Sequence, residues 1–243
     1  MSIKIIAHRG ASFDYPENTI IAFEKAIEQG ADGIELDVHL TADGQIVVHH
    51  DEKINRTSNG DGFINEMNLI SLRNYNFNNG KTEVGNVKLP LLSDVYDLVK
   101  NKNIEIHVEL KTCIFLYPEL PQKLINLTRD FAIEERVVYS SFNHNSLRDL
   151  KSLNPKAEIA LTYQDMIADP WVYAKYLNVN TIHPDHNILL KYPSIVKECH
   201  KNDIKINTWT VDNEESINKL FDLKVDGLMT NKPSTVLQYK SKK

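Results

Sequence analysis

The 243-residue sequence contains only two cysteines, Cys113 and Cys199, far apart and in no CxxC pattern. Neither a disulfide framework nor a thiolate zinc site is expected, and both thiols read as reduced. A basic excess is also missing: 28 Lys and Arg stand against 33 Asp and Glu, a net charge of −5. That balance argues against nucleic acid or an anionic bilayer as the main partner, although a local basic pocket can still bind one phosphate. No apolar run approaches the roughly 18–20 residues of a membrane span. The run Ile3–Ala7 is too short for a signal-peptide core and gives way at once to His8 and Arg9. The expectation is a soluble, cytoplasmic protein without a stable membrane anchor, its C-terminal YKSKK a solvated tail. There is no GxGxxG after the first apolar run, no Gly-rich phosphate loop, no GxSxG and no HExxH. Dinucleotide binding and Ser/His/Asp hydrolysis therefore have no footing.

What is present is a rhythm. Short apolar runs alternate with segments of helical spacing. Strand candidates begin at residues 3, 33, 104, 137, 158, 179, 205 and 227. Between the first two, Ile20, Phe23, Ala26 and Ile27 form a helical stripe that Gly30 can cap. Further helices are expected over 92–99, 120–131, 143–153 and 216–221, the last opened by the acidic VDNEE. The turn TADGQ at 41–45 predicts that Ile46–His49 folds back on the second strand as a hairpin arm. Eight strands alternating with helices in a chain of about 250 residues point to a closed (β/α)₈ barrel rather than an open doubly wound sheet. The whole chain, 1–243, is read as a single catalytic barrel domain. Residues 52–90, rich in Asn and Gly, read as a small insertion with helical turns near Leu69–Tyr75, too short for a strong core of its own.

Barrel enzymes carry their chemistry at the C-terminal ends of the strands. Here those ends hold His8 and Arg9, Glu35 and Asp37, His49–Asp51 on the hairpin arm, Glu109 and Lys111, His183, and Trp209. Alternation along a strand points Glu35 and Asp37 the same way, into the barrel. Buried carboxylates need cations beside them. They form a metal site with Glu109, which falls at the same height on the neighbouring strand, or they are salt-bridged to Arg9 and Lys111. A hard, all-oxygen set without cysteine favours Mg²⁺ or Ca²⁺ over zinc. His8 and His50 are the acid/base candidates, the imidazole being able to serve in both roles near neutrality. Arg9 offers a planar fork suited to a phosphate. His39 reads as a rim residue or turn partner. His49 alternates away from His50, and His144 and His186 carry no signal alone.

The opening HRGASFDYPENTIIAFEKAIEQGADGIELDVHLTADGQIVVHHDEKINRTSNGDG joins HRG, PENT, an ELD pair and HHD. HVELK, SSF, INTWTV and VDGLMTNKP follow at 107, 140, 206 and 225. In this order of motifs the chain resembles the bacterial glycerophosphodiester phosphodiesterases over essentially its full length. The resemblance implies a (β/α)₈ barrel with an insertion after the HD motif. It also implies divalent-cation-dependent hydrolysis of glycerophosphodiesters to sn-glycerol 3-phosphate and an alcohol. By the same resemblance His8 and His50 are catalytic, Glu35, Asp37 and Glu109 hold the metal, and Arg9 and Lys111 contact the phosphate. Trp209, Phe13 and Phe142 would wall the pocket, with His183 at a further pocket position. One departure is visible: where the family usually ends in TDxP, this sequence has Thr230-Asn231-Lys232-Pro233. Related barrels, the phosphatidylinositol-specific phospholipases and the venom-type phospholipases D, keep open the cleavage of inositol diesters or lysophospholipids. No apolar loop stands out to support interfacial binding. A barrel that only binds glycerophosphodiesters is the non-enzymatic alternative.

Overall fold

A computed structural model describes residues 3–240. Nine strands form: β1 (Lys4–His8), β2 (Gly33–Leu40), β3 (Ile46–Val48), β4 (Glu105–Leu110), β5 (Val137–Ser141), β6 (Glu158–Tyr163), β7 (Thr181–Pro184), β8 (Lys205–Thr208) and β9 (Gly227–Thr230). The sheet runs β1-β9-β8-β7-β6-β5-β4-β2, and the β1–β2 pairing closes it. All eight of these strands pair in parallel, so this is the expected (β/α)₈ barrel. The helices are α1 (Ile20–Glu28), α2 (Leu69–Leu72), α3 (Leu92–Val99), α4 (Leu120–Asp130), α5 (His144–Leu153), α6 (Pro170–Tyr176), α7 (His186–Lys191), α8 (Ser194–Lys201), α9 (Glu214–Leu223) and α10 (Pro233–Lys240). No helix among the described residues is long and apolar enough to cross a membrane. The expected tail YKSKK begins inside α10, where Lys240 Nζ bonds Asp32 Oδ2 at 2.9 Å; residues 241–243 lie outside the described residues.

The core lies between sheet and helices. Ile34, Leu36 and Val38 of β2 are fully buried with Phe23 and Ala26 of α1 and Val95, Tyr96 and Val99 of α3. Each of the larger aliphatic side chains and Phe23 stabilises the fold by roughly 1.5–3 kcal/mol on burial. Thr19 caps α1 by accepting from Ala22 N, and Asn213 caps α9 by accepting from Ser216 N. Both satisfy backbone donors that a helix start leaves free.

The hairpin arm decides where the site forms. Strand β3 pairs antiparallel with Val38–Leu40 of β2, as the TADGQ turn predicts. Strand β1 pairs only with Gly33–Glu35 of β2, while β4 occupies the other edge from Gly33 to Val38. Strand β3 therefore continues the edge that β1 leaves at His8, and it delivers His49–Asp51 above the end of β1.

The insertion differs from expectation in one respect. Ile54, Ile64, Leu72, Phe77 and Leu89 close with Val47 of β3 into a small core of their own, each no more than 2% exposed. Sparse apolar residues suffice because the outward face of β3 supplies a wall of that core.

Candidate active site

The register of the strands sets three carboxylates side by side. Glu35 pairs across from His8 on one side and His107 on the other, and Asp37 pairs with Glu109. Glu35, Asp37 and Glu109 each present an oxygen within 4.8 Å of the other two. Glu35 and Asp37 are almost wholly buried. Burial and the charges of Asp37 and Glu109 push the Glu35 carboxyl well above its ordinary pKa. Glu109 is raised in the same way by burial, against the pull of Lys111. Asp37 goes the other way: burial opposes its charge, but Arg9 and Lys111 outweigh burial and hold it well below the usual range.

The salt-bridge alternative does not cover this cluster. Arg9 Nε lies 3.3 Å from Asp37 Oδ2, and Arg9 also serves Glu17 at 2.9 Å. Lys111 Nζ lies 2.9 Å from Glu109 Oε1 and 3.7 Å from Asp37 Oδ1. Glu35 bonds the backbone N of Arg9 at 3.0 Å, and no side-chain cation among the described residues forms a salt bridge with it. Three buried carboxylates share two cations, so the donor set fits a further positive charge. All-oxygen donors match a hard divalent cation.

The backbone at the end of β1 bends sharply to present these groups. Arg9 sits at φ +57°, a left-handed conformation uncommon for a side-chain-bearing residue. Gly10 follows at φ +83°, and a Cβ there would meet the backbone carbon of Ala22 at 2.6 Å. Only glycine lets the turn pass this close to α1. The PENT segment then serves three purposes. Glu17 holds Arg9; Asn18 donates to Asp37 Oδ2 at 2.8 Å; Thr19 caps α1.

A cavity of about 190 Å³ opens over the cluster, lined by His8, Arg9, Glu35, His50 and Glu109 on one side. Ser140, Phe142, Thr162, Gln164, His183 and Trp209 face them, with Met229. Phe142 and Trp209 meet edge to face at 5.4 Å. His8, burdened by burial and by Arg9, is pushed down to about pKa 4, and its Nδ1 lies 2.7 Å from Asn231 Oδ1. His50 Nδ1 lies 2.6 Å from Asp51 Oδ1, and Arg56 ties Asp51 to Glu17. The two histidines thus meet at one cavity with different partners, an amide and a carboxylate.

Several positions differ from the sequence reading. His39 is fully buried, not on the rim; its Nε2 lies 3.1 Å from the His50 carbonyl oxygen and its Nδ1 3.2 Å from the Tyr117 hydroxyl. It braces the backbone that carries His50. His49 turns away as expected, toward Thr57 and the Asp51 carbonyl. Phe13 is 59% exposed beneath Lys232, whose Nζ lies 4.2 Å from the ring centroid, and it is not among the cavity-lining residues. The loop after Lys111 exposes Ile114 by 66% and Leu116 by 73%, an apolar feature the sequence did not single out. Glu17, Asn18, Asp51 and Arg56 all hold site residues and carried no assigned role in the sequence. PENT was a visible signal for the first two.

The model of the glycerophosphoryl diester phosphodiesterase family matches residues 8–235. A glycerophosphodiester phosphodiesterase of Caldanaerobacter subterraneus subsp. tengcongensis is 42% identical over 98% of this chain and 97% of its own. Another, from Bacillus altitudinis, is 39% identical over 97% of each chain. Among solved structures, a glycerophosphodiester phosphodiesterase from Parabacteroides distasonis superposes with a TM-score of 0.86 at 29% identity, covering 99% of this chain and 98% of that one. An Oleispira antarctica phosphodiesterase, solved in complex with the product sn-glycerol-3-phosphate, superposes with a TM-score of 0.89 at 24% identity over 99% and 97% of the two chains. The barrel, the cavity at its C-terminal mouth and these likenesses converge: the chain is an enzyme belonging to the glycerophosphoryl diester phosphodiesterase family.

Proposed function

We propose that this enzyme hydrolyses glycerophosphodiesters to sn-glycerol 3-phosphate and an alcohol in a reaction that depends on a divalent cation, Mg²⁺ or Ca²⁺. His8 and His50 transfer the protons. One observation carries the reading: two histidines and Arg9 line the same cavity as Glu35 and Glu109, members of a carboxylate trio that has too few cations. The product complex of the Oleispira phosphodiesterase supports the same product here.

Glu35, Asp37 and Glu109 would hold the cation, which supplies Lewis-acid charge to a phosphoryl oxygen. Arg9 is already pre-set for the phosphate. Its Nε is ion-paired with Asp37 at 3.3 Å, and Glu17 fixes the other end of its fork. Lys111, held by Glu109, adds a point charge beside it. Phe142 and Trp209 shape the apolar wall.

His8 is the base. Its environment keeps it neutral near pH 7, and only a neutral imidazole accepts a proton. His50 is the acid for the leaving alkoxide. Asp51 behind it orients the ring and balances the charge the ring carries with its proton. Water and the glycerol 2-hydroxyl are both nucleophiles that these residues can serve. The exposed Ile114 and Leu116 favour a second specificity, for diesters whose glycerol half carries an apolar acyl chain, as in a lysophospholipid. A panel of glycerophosphodiesters assayed by coupled detection of glycerol 3-phosphate, and of lysophospholipids assayed by release of the headgroup alcohol, tests both. Turnover of at least one is expected with Mg²⁺ or Ca²⁺ present. Failure on all of them would leave a barrel that only binds.

A further inference from the structure

Where this chain departs from the usual TDxP ending, the geometry around Asn231 is closely determined. Asn231 Nδ2 donates to Asp212 Oδ2 at 2.5 Å. The backbone N of Asn231 and the hydroxyl of Thr230 donate to Asp212 Oδ1 at 2.8 and 2.9 Å. An ionised carboxylate only accepts, so the NH₂ end of the carboxamide must face Asp212. Its carbonyl end, Oδ1, must then face His8 Nδ1 across 2.7 Å. A carbonyl oxygen also only accepts, so Nδ1 carries the proton of a neutral His8. Nε2 is left with a free lone pair. Ser12 Oγ lies 2.7 Å from the His8 carbonyl oxygen and 2.8 Å from Asn231 Oδ1, and its single proton serves one of them at a time.

We infer that Asp212 is a positioning residue for His8, acting through Asn231 to fix the tautomer in which Nε2 accepts the proton. The inference rests on the reading of His8 as the base and adds to it what selects its reactive nitrogen. A carboxylate at 231 would define the tautomer alone. A carboxamide has two unlike ends and needs a second group to choose between them, and Asp212 makes that choice. The pair Asn231 and Asp212 thus places the family's usual carboxylate one residue further from the ring. The sequence position of Asp212, four residues past the end of β8, lets it reach the end of β9 beside β1.

The arrangement predicts a reversal. Asn231→Asp installs the residue usual in the family, yet it would set two carboxylates against each other at the 2.5 Å contact. It should lower kcat roughly 10–100-fold, as loss of a histidine's supporting partner does, with KM nearly unchanged. The double variant Asp212→Asn with Asn231→Asp restores every donor–acceptor pair and should recover most of the lost rate. Rescue alone would also follow from a merely structural bond, so the tautomer of His8 is the readout that separates the two.

The decisive experiment is long-range ¹H–¹⁵N NMR of the cation-loaded full chain at neutral pH, with His8 assigned by comparison with His8→Ala. The expected spectrum shows His8 protonated on Nδ1 in the wild type and in the double variant. A proton on Nε2 in the wild type overturns the relay, and this holds whether or not a variant folds poorly. Full activity in His8→Ala overturns instead the catalytic reading on which the relay rests. An inactive His8→Ala with Nε2 protonated in the wild type sinks the relay and leaves that reading standing.

Discussion

Stripping the divalent cation from the folded protein should lower its melting temperature. Only the fold brings Glu35 and Asp37 of β2 together with Glu109 of β4, so the unfolded chain has no comparable site. A ligand that binds the native state alone, at a hundred times its Kd, adds about 2.7 kcal/mol of stability. In a domain of this size each kcal/mol moves Tm by about 2–4 °C. The expected difference between EDTA and saturating Mg²⁺ or Ca²⁺ is therefore about 5–11 °C. Its pH dependence has a definite sign. The pKa of Glu35 is raised in the cation-free fold by burial and by its two neighbours. The native state then holds a proton that the unfolded chain gives up near its ordinary pKa of about 4.3. Cation-free stability should fall as pH rises from there through the raised value. Asp37, whose pKa is depressed, acts in a separate window, losing its contribution only as pH falls below the ordinary carboxylate range. Thermal melts from pH 5 to 8, with and without cation, measure this directly. Glu35→Gln should melt no lower than the wild type in EDTA, lose part of the downward slope, and respond less to cation. An unchanged Tm on chelation, with Glu35→Gln destabilised in EDTA, would refute the cation site and return the cluster to salt bridging.

Three further outcomes follow from particular contacts. His50→Ala should cost about 10²–10⁴ in kcat, the usual contribution of a positioned acid or base, with an unchanged circular dichroism spectrum. Arg56→Ala should reduce kcat less than His50→Ala, because it frees Asp51 and Glu17 without touching the cavity lining; steady-state kinetics would show the ranking, and the reverse order would contradict it. Ile64→Ala should destabilise the fold by about 2–5 kcal/mol in urea titration, since Ile64 is fully buried in the small core of the insertion.

The barrel was legible because its elements announce themselves locally. Apolar runs at strand length and stripes at helical spacing report burial, and burial is what the fold is made of. Glu35 and Asp37 were equally legible, since alternation alone turns both inward. The insertion core was harder to read: part of its support comes from Val47 on a strand outside it, and a count of apolar residues within 52–90 cannot include that wall. His39 was read as a rim residue or turn partner, and its full burial was missed because alternation says which face a residue takes and not how much chain later covers it. Asp212 was read with the acidic start of a helix. In the structure Glu214 and Glu215 fill that place, while Asp212 turns to the end of β9. Such a bond joins residues whose proximity is created only by the pairing of β8 with β9, and no local pattern encodes it.

The central claim is that cation and histidines together split a glycerophosphodiester on the glycerol 3-phosphate side. ³¹P NMR of glycerophosphocholine incubated with exhaustively chelated enzyme, and then with Mg²⁺ or Ca²⁺ restored, tests it most directly. The account predicts no change in the diester resonance until cation is added, and then growth of the glycerol 3-phosphate resonance. Release of phosphocholine in place of glycerol 3-phosphate, or full turnover by protein shown by elemental analysis to hold no metal, would contradict it.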